Sequence, residues 1–72
     1  MTELGLFLSK KSASKTEIAK KTGINKSRIS ELTLTASTQL RAKELYLIAL
    51  ALDVDPGDML KDLFKNVKLP KK

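Results

Sequence analysis

Lysine, arginine and a few hydroxyl and carboxyl side chains are the groups in this sequence that can do chemistry, because it contains neither histidine nor cysteine. The formal net charge is +6, and residues 1–43, with nine basic and three acidic side chains, carry all of the excess. Residues 44–72 carry five of each and sum to zero. Positive charge gathered in one half of a chain is the footprint expected of a protein that binds a polyanion, and nucleic acid is the leading candidate.

The missing residue types exclude several classes of function. Without cysteine and histidine the chain has no disulfide, no thiolate nucleophile and neither of the commonest zinc ligands. It has no glycine-rich phosphate loop, and 72 residues are too few to enclose a substrate pocket. We therefore expect no enzymatic activity, no metal and no cofactor.

Membrane association is not expected either. No apolar run reaches the ~18 residues that a membrane span needs. The first residues include an acid and lack the charged leader and cleavage site of a secretory signal. The sequence therefore predicts a cytoplasmic protein.

The length predicts a single domain over residues 1–66, followed by a basic tail over residues 67–72. Hydrophobic residues make up 42% of the chain and aromatic residues only 4%, a composition that suits a compact all-α domain. Apolar spacing and capping residues divide this domain into five helices. The first is predicted over residues 3–10, with Thr2 as its N-cap.

The next two predicted helices are short and close together. Ser14 and Glu17 have the spacing of a capping box, in which each side chain accepts the backbone N–H of the other, so the second helix is predicted over residues 15–22. Gly23 can adopt the left-handed conformation that ends a helix. Asn25 is a favourable N-cap for a third helix over residues 26–33. The threonine-rich segment that follows is predicted to be a loop.

Two further helices complete the predicted domain. Residues 45–52 are all apolar, and because leucine and alanine dominate, a helix is favoured over a buried strand. A helix that is apolar nearly all round is expected to be central in the fold. The segment "DPGD" then starts a fifth helix, with Asp55 as N-cap and Pro56 at its first position.

The second and third helices have the features of a helix-turn-helix. Two helices that cross closely need a small residue at the contact, and Ala19 meets that need. Ile18, Ile24, Ile29 and Leu32 are expected to fill the space between this pair and the rest of the core. With the chain reversing at Gly23, the two helices are expected to cross at roughly 90–120°.

The spacing of these residues resembles that of the lambda-repressor-like (Cro-type, XRE-type) helix-turn-helix family. The residues that carry the resemblance are Ser14, Glu17, Ile18, Ala19, Gly23, Ile24, Ile29 and Leu32. The segment "LIALALDVDPGDML" also resembles the family's fourth helix and the start of its fifth, so the likeness covers residues 3–64. It implies a compact five-helix DNA-binding domain, commonly a bacterial or phage transcriptional regulator or repressor that binds double-stranded DNA as a homodimer and is associated with the nucleoid.

The resemblance also implies which side chains meet DNA. In this architecture the third helix enters the major groove, and Lys26, Ser27 and Glu31 lie where the family reads bases. Lysine can donate to guanine, serine suits either kind of base edge and glutamate can accept from cytosine N4. Arg28 is a further candidate for guanine or phosphate, whereas an ion pair between Arg28 and Glu31, one turn apart, is the structural alternative.

Other residues are expected to hold the DNA backbone or a second copy. The candidate phosphate contacts share a positive charge near helix starts or on the second helix: Lys15, Lys20, Lys21, Arg41 and Lys43. The fifth helix is the expected dimer interface, through Leu63, Phe64 and Val67.

A rival reading keeps the same fold and changes its use. The helix-turn-helix would then be only a scaffold, and the apolar fifth helix would bind a protein partner, as in an antitoxin-like module. Weak salt dependence of DNA binding would favour this reading, because phosphate contacts give log K a slope near −0.9 per phosphate neutralised.

Overall fold

Residues 2–70, which the computed structural model describes, form five α-helices and no strand. The helices are α1 (Glu3–Lys10), α2 (Lys15–Thr22), α3 (Lys26–Leu34), α4 (Ala42–Leu52) and α5 (Pro56–Leu63). The predicted all-α architecture is confirmed, and α3 runs one residue further than the sequence pattern indicated. Met1 and residues 71 and 72, which include the end of the predicted tail, lie outside the described residues.

Side-chain caps set where four of these helices begin. The Thr2, Ser14, Asn25 and Asp55 side chains accept backbone N–H bonds from Gly5, Glu17, Ser27 and Asp58, at 3.1, 3.3, 2.8 and 3.0 Å respectively. Each of these bonds satisfies one of the amide groups that a helix start leaves without an intrahelical partner. The capping box predicted at Ser14 is only half formed, since no bond from the Ser14 N–H to the Glu17 carboxylate is present among residues 2–70.

Gly23, between α2 and α3, has the left-handed conformation that was predicted. Gly23 has φ 77° and ψ 1°, in the left-handed region, and its N–H donates to Ala19 O to end α2. Ile18 on α2 and Ile29 on α3 are both buried, while Ala19 and Ile24 are partly buried against the same core. The reversal at Gly23 therefore places the two short helices on one shared apolar contact.

The core collects apolar residues from all five helices. Its buried members are Leu4, Phe7, Leu8, Ile18, Ile29, Leu32, Leu45, Ile48, Ala49, Met59 and Leu63. Helix α1 packs against α3 and α5, α2 packs against α3 and α4, and α4 packs against α5. Thr2 adds a polar tie, because its hydroxyl donates to Leu32 O (2.7 Å) and its N–H donates to Thr33 O (2.9 Å). The start of α1 is thereby held on the end of α3.

Helix α4 is less central than its apolar composition suggested. Leu45, Ile48 and Ala49 are buried, whereas Tyr46 and Leu50 are more than half exposed. Because α4 packs only against α2 and α5, one of its sides faces solvent. No helix within residues 2–70 combines the length and apolarity required to cross a membrane.

We expect Gly23→Ala to lower the free energy of unfolding by about 1–2 kcal/mol, the cost of left-handed backbone for a residue with a Cβ. Nothing lies within 4 Å of a Cβ placed at this position, so a steric clash cannot account for the loss. Gly23→Asn is the matched control, because asparagine tolerates this conformation better. Urea denaturation measures both, and equal losses for the two variants would contradict the backbone explanation.

Candidate nucleic-acid interface

The outer face of α3 is polar and accessible. Ile29, Leu32 and Thr33 point into the core, and their burial fixes how the helix is rotated. Lys26, Ser27, Glu31 and Leu34 are exposed as a consequence, and Ser30 is half-buried. Residues three and four apart share one side of a helix, so Ser27, Glu31 and Leu34 form a single exposed row.

Cationic side chains without carboxylate partners lie on α2, on α3 and at the start of α4. Lys20, Lys21, Lys26, Arg41 and Lys43 are exposed, and Lys15 is half-buried. Among residues 2–70, the ion pairs are Arg28 with Glu44 and Lys65 with Asp62, so none of these six cations is within 4.0 Å of a carboxylate there. Their charge therefore faces solvent, where a polyanion can reach it.

Arg28 is placed differently from the expectation. Its Nε–H donates to Glu44 Oε2 at 2.8 Å, and its Nη2 donates to Glu44 Oε1 at 2.9 Å and to Gln39 O at 2.8 Å. The alternative pair with Glu31 is not formed in the described part of the chain. The guanidinium is thus bonded to the loop at residues 35–41 and the start of α4, while Glu31 lies near enough to help raise the Arg28 pKa after the larger effect of the Glu44 hydrogen bond.

The comparison with known families agrees with this geometry. A family model described as a Cro/C1-type helix-turn-helix (HTH) DNA-binding domain matches residues 3–65. This chain belongs to that family. Searches of curated proteins and of solved structures found no match.

The family assigns the general activity of this Cro/C1-type domain, which is DNA binding. Helix α3 is the second helix of the helix-turn-helix, the one that enters the major groove in such domains. The exposed face of α3 and the free cations of α2 and early α4 therefore form the candidate interface. No group of three or more acidic side chains among residues 2–70 is arranged to hold a metal ion.

The residues predicted for a dimer interface differ in their exposure to solvent. Leu63 is only 7% exposed and belongs to the core of the domain, so it offers almost no surface to a second molecule. Phe64 and Val67 are 44% and 69% exposed. The prediction counted all three as one stripe because they follow helical spacing, but α5 ends at Leu63 and the chain then leaves the helical path.

The Arg28–Glu44 pair is the interaction that sequence reasoning missed. A glutamate at the third position of α4, after Arg41, was the available signal, since such a residue can accept the N-cap N–H. That bond is present, from Arg41 N to Glu44 Oε1 at 3.0 Å. The partner of Glu44 on α3, Arg28, lies sixteen residues earlier in the chain, so only the tertiary structure could identify it.

The same contacts perturb the acid–base behaviour of Glu44. The hydrogen bond from Arg28 lowers the pKa of the carboxyl below its ordinary 4.5, partial burial opposes this, and the Arg41 N–H lowers it further. Glutamate bonded in this way binds a proton less readily in the folded than in the unfolded state. Its contribution to stability is therefore complete above the ordinary pKa and is lost as the pH falls through the folded-state pKa.

We expect Glu44→Gln to remove this part of the acid sensitivity. The wild-type domain should be more stable than the variant at neutral pH, and the difference should shrink as the pH falls below the ordinary glutamate pKa. Urea denaturation from neutral pH to about pH 3 measures it. Asp62→Asn is the control, because Asp62 lies 3.9 Å from Lys65 in an exposed pair of the kind worth about 0–1 kcal/mol. A constant difference across this range would refute the assignment.

Proposed function

We propose that this protein is a sequence-specific double-stranded DNA-binding regulator that represses transcription by occupying its site with α3 in the major groove. The observation that carries the proposal is the exposed row of α3, together with exposed and unpaired cations on α2 and at the start of α4, on a Cro/C1-type domain. A repressor of this kind acts on nucleoid DNA in the cytoplasm, and the family resemblance favours a bacterial or phage source.

The base-reading role is assigned to Lys26, Ser27 and Glu31. All three are exposed on α3, and the first two stand in the N-terminal turn, which approaches the base edges when a recognition helix is docked. Together they present a donor for guanine, a hydroxyl and an acceptor for cytosine N4. Leu34, exposed at the end of α3, can contact a thymine methyl.

The phosphate-binding role is assigned to cations on the two helices that precede and follow α3 in the chain. Lys15, Lys20 and Lys21 lie on α2, and Arg41 and Lys43 lie at the start of α4. Contacts from two elements hold the domain in register on the duplex, while the bases are read by α3. The N-termini of α2 and α3 supply further donors and a favourable dipole for phosphate.

Selection from a random duplex pool at physiological salt tests the main proposal. Enrichment of a defined site, with a binding constant that falls steeply with salt, is the expected result. A protein that enriches no sequence and binds DNA with little salt dependence would instead be a protein-interaction module of the antitoxin-like kind.

Lys26→Ala and Glu31→Ala should each relax preference at one base-pair position of the selected site, by about 1–3 kcal/mol. Lys61→Ala is the matched control for Lys26→Ala. It removes the same charge from the exposed side of α5, a helix that packs against α1 and α4 and not against the helix-turn-helix. Competition binding against single-position variants of the site measures the effect. An unchanged base preference in both α3 variants would show that these residues do not read bases.

We also propose a homodimer, since one recognition helix reads few base pairs and two related by symmetry read half-sites about one helical turn apart. It is supported by the exposed rings and methyls of Phe64 and Val67, which border an open groove of about 610 Å³. Leu4, Leu32 and Leu40 line its floor. An apolar surface of this kind is often an interaction site.

Phe64→Ser should shift sedimentation toward the monomer and convert binding from a two-fold site to a single half-site. Leu50→Ser serves as the control, because Leu50 is similarly exposed on α4 and does not border the groove. A wild-type protein that sediments as a monomer, both free and on DNA, would rule out the dimer.

A further inference from the structure

One guanidinium joins three parts of the interface that are separate in the sequence. Arg28 on α3 makes two bonds to the Glu44 carboxylate and one to the backbone carbonyl of Gln39. Glu44 Oε1 also accepts the Arg41 N–H at the start of α4. The side chains are 28% and 13% exposed, for Arg28 and Glu44 respectively, so water screens this pair less than it screens a surface pair.

This pair joins two helices whose backbones do not approach each other closely. Helix α3 packs against α1 and α2, and no Cα atom of α3 comes within 8 Å of a Cα atom of α4. The residues between them, 35–41, form a loop with a turn at Ala36 and Ser37 and are mostly exposed. Within the described residues, the Arg28–Glu44 contact is therefore the ion pair that ties the recognition helix to the start of α4.

The two ends of this tie carry the two kinds of DNA contact. Lys26, Ser27 and Glu31 surround Arg28 on α3, while Arg41 and Lys43 flank Glu44 on α4. A planar guanidinium bonded to both oxygens of a carboxylate fixes orientation as well as distance. A change in this bond would alter the spacing between base-reading and phosphate-binding side chains.

We propose that the Arg28–Glu44 pair is a positioning device that sets the start of α4 relative to α3 and thereby sharpens the discrimination between DNA sequences. The inference rests on the proposed function and reassigns Arg28 from base contact to positioning residue. It makes Glu44, an acid on a surface that binds a polyanion, necessary for specific binding.

Whether Glu44→Gln raises or lowers the affinity for the selected site distinguishes a positioning role from a simple effect of charge. The substitution raises the net charge by one, so charge alone would strengthen binding to any duplex. Positioning instead predicts that affinity for the selected site falls roughly fivefold or more, in the range of couplings between contacting residues. Affinity for an unrelated duplex stays equal or rises. Asp62→Asn adds the same charge at the exposed pair of Asp62, on α5, with Lys65 and should leave the ratio of the two affinities unchanged.

Arg28→Gln completes the experiment. Positioning predicts that Arg28→Gln loses specificity to a similar extent. The double variant with Glu44→Gln should be no less specific than the less specific of the two single variants, because either change breaks the same contact. Simple loss of folded protein would scale both affinities equally and overturn the proposal. Arg28 would instead contact a phosphate directly if two results were found together. The slope of log K against log salt concentration would be smaller by about 0.9 in Arg28→Gln, and Glu44→Gln would keep full specificity.

Amide hydrogen exchange tests the tie without DNA. We expect the Thr38 N–H, which donates to Thr35 O within the loop, to exchange at least about tenfold faster in both variants, while the amides of Ile18 and Ile29 keep their protection. Unchanged exchange in the loop would overturn the proposed tie. The wild-type protein distinguishes failure of the proposed function from failure of the positioning role. If the wild-type protein selects no site, the proposed function is wrong. If it selects a site and Glu44→Gln binds that site with equal specificity, only the positioning role is wrong.

Discussion

The reversal of the chain between α2 and α3 is the constraint on which the DNA-binding surface depends. The two helices have eight and nine residues, and isolated helices of that length are marginal in water. Each is stabilised because the left-handed backbone at Gly23 brings Ile18 and Ile29 into one core. Burial of Ile29 and Leu32 then decides which side of α3 remains exposed, so core packing and the position of the exposed row of α3 are set together.

The arrangement of the helices determines where the positive charge of the domain lies. Lysines spread along the first half of the chain become free cations on α2, on α3 and at the start of α4. Arg28 is the exception, because it is bonded to the carboxylate of Glu44. The charge of Arg28 is thus paired, while no carboxylate lies within 4.0 Å of the lysines of α2 and α3 among residues 2–70.

This use of an ion pair suits a domain of such small size. A chain of this length buries only roughly 60% of its unfolded surface, and its core is correspondingly small. Helices α3 and α4 contribute to the same apolar core, but no Cα atom of one lies within 8 Å of a Cα atom of the other. A bidentate bond with an added backbone acceptor, Gln39 O, supplies a defined geometry between the two helices.

Local signals in the sequence determined most of the elements. Thr2, Ser14, Asn25 and Asp55 predicted the starts of four helices, since each cap is a bond between residues two or three apart in the chain. Gly23 predicted the turn for the same reason, and the apolar positions around it predicted the helix-turn-helix and its family.

Only the tertiary structure decided the remaining features. The exposure of Tyr46 and Leu50 on α4 depends on which helices lie beside it, and the burial of Leu63 depends on where α5 ends. The partner of Arg28 could not be read from spacing, because Glu31 is near in the chain while Glu44 is near only after folding. Contacts within one turn of helix are encoded by neighbouring residues, whereas contacts between helices depend on how the whole core packs.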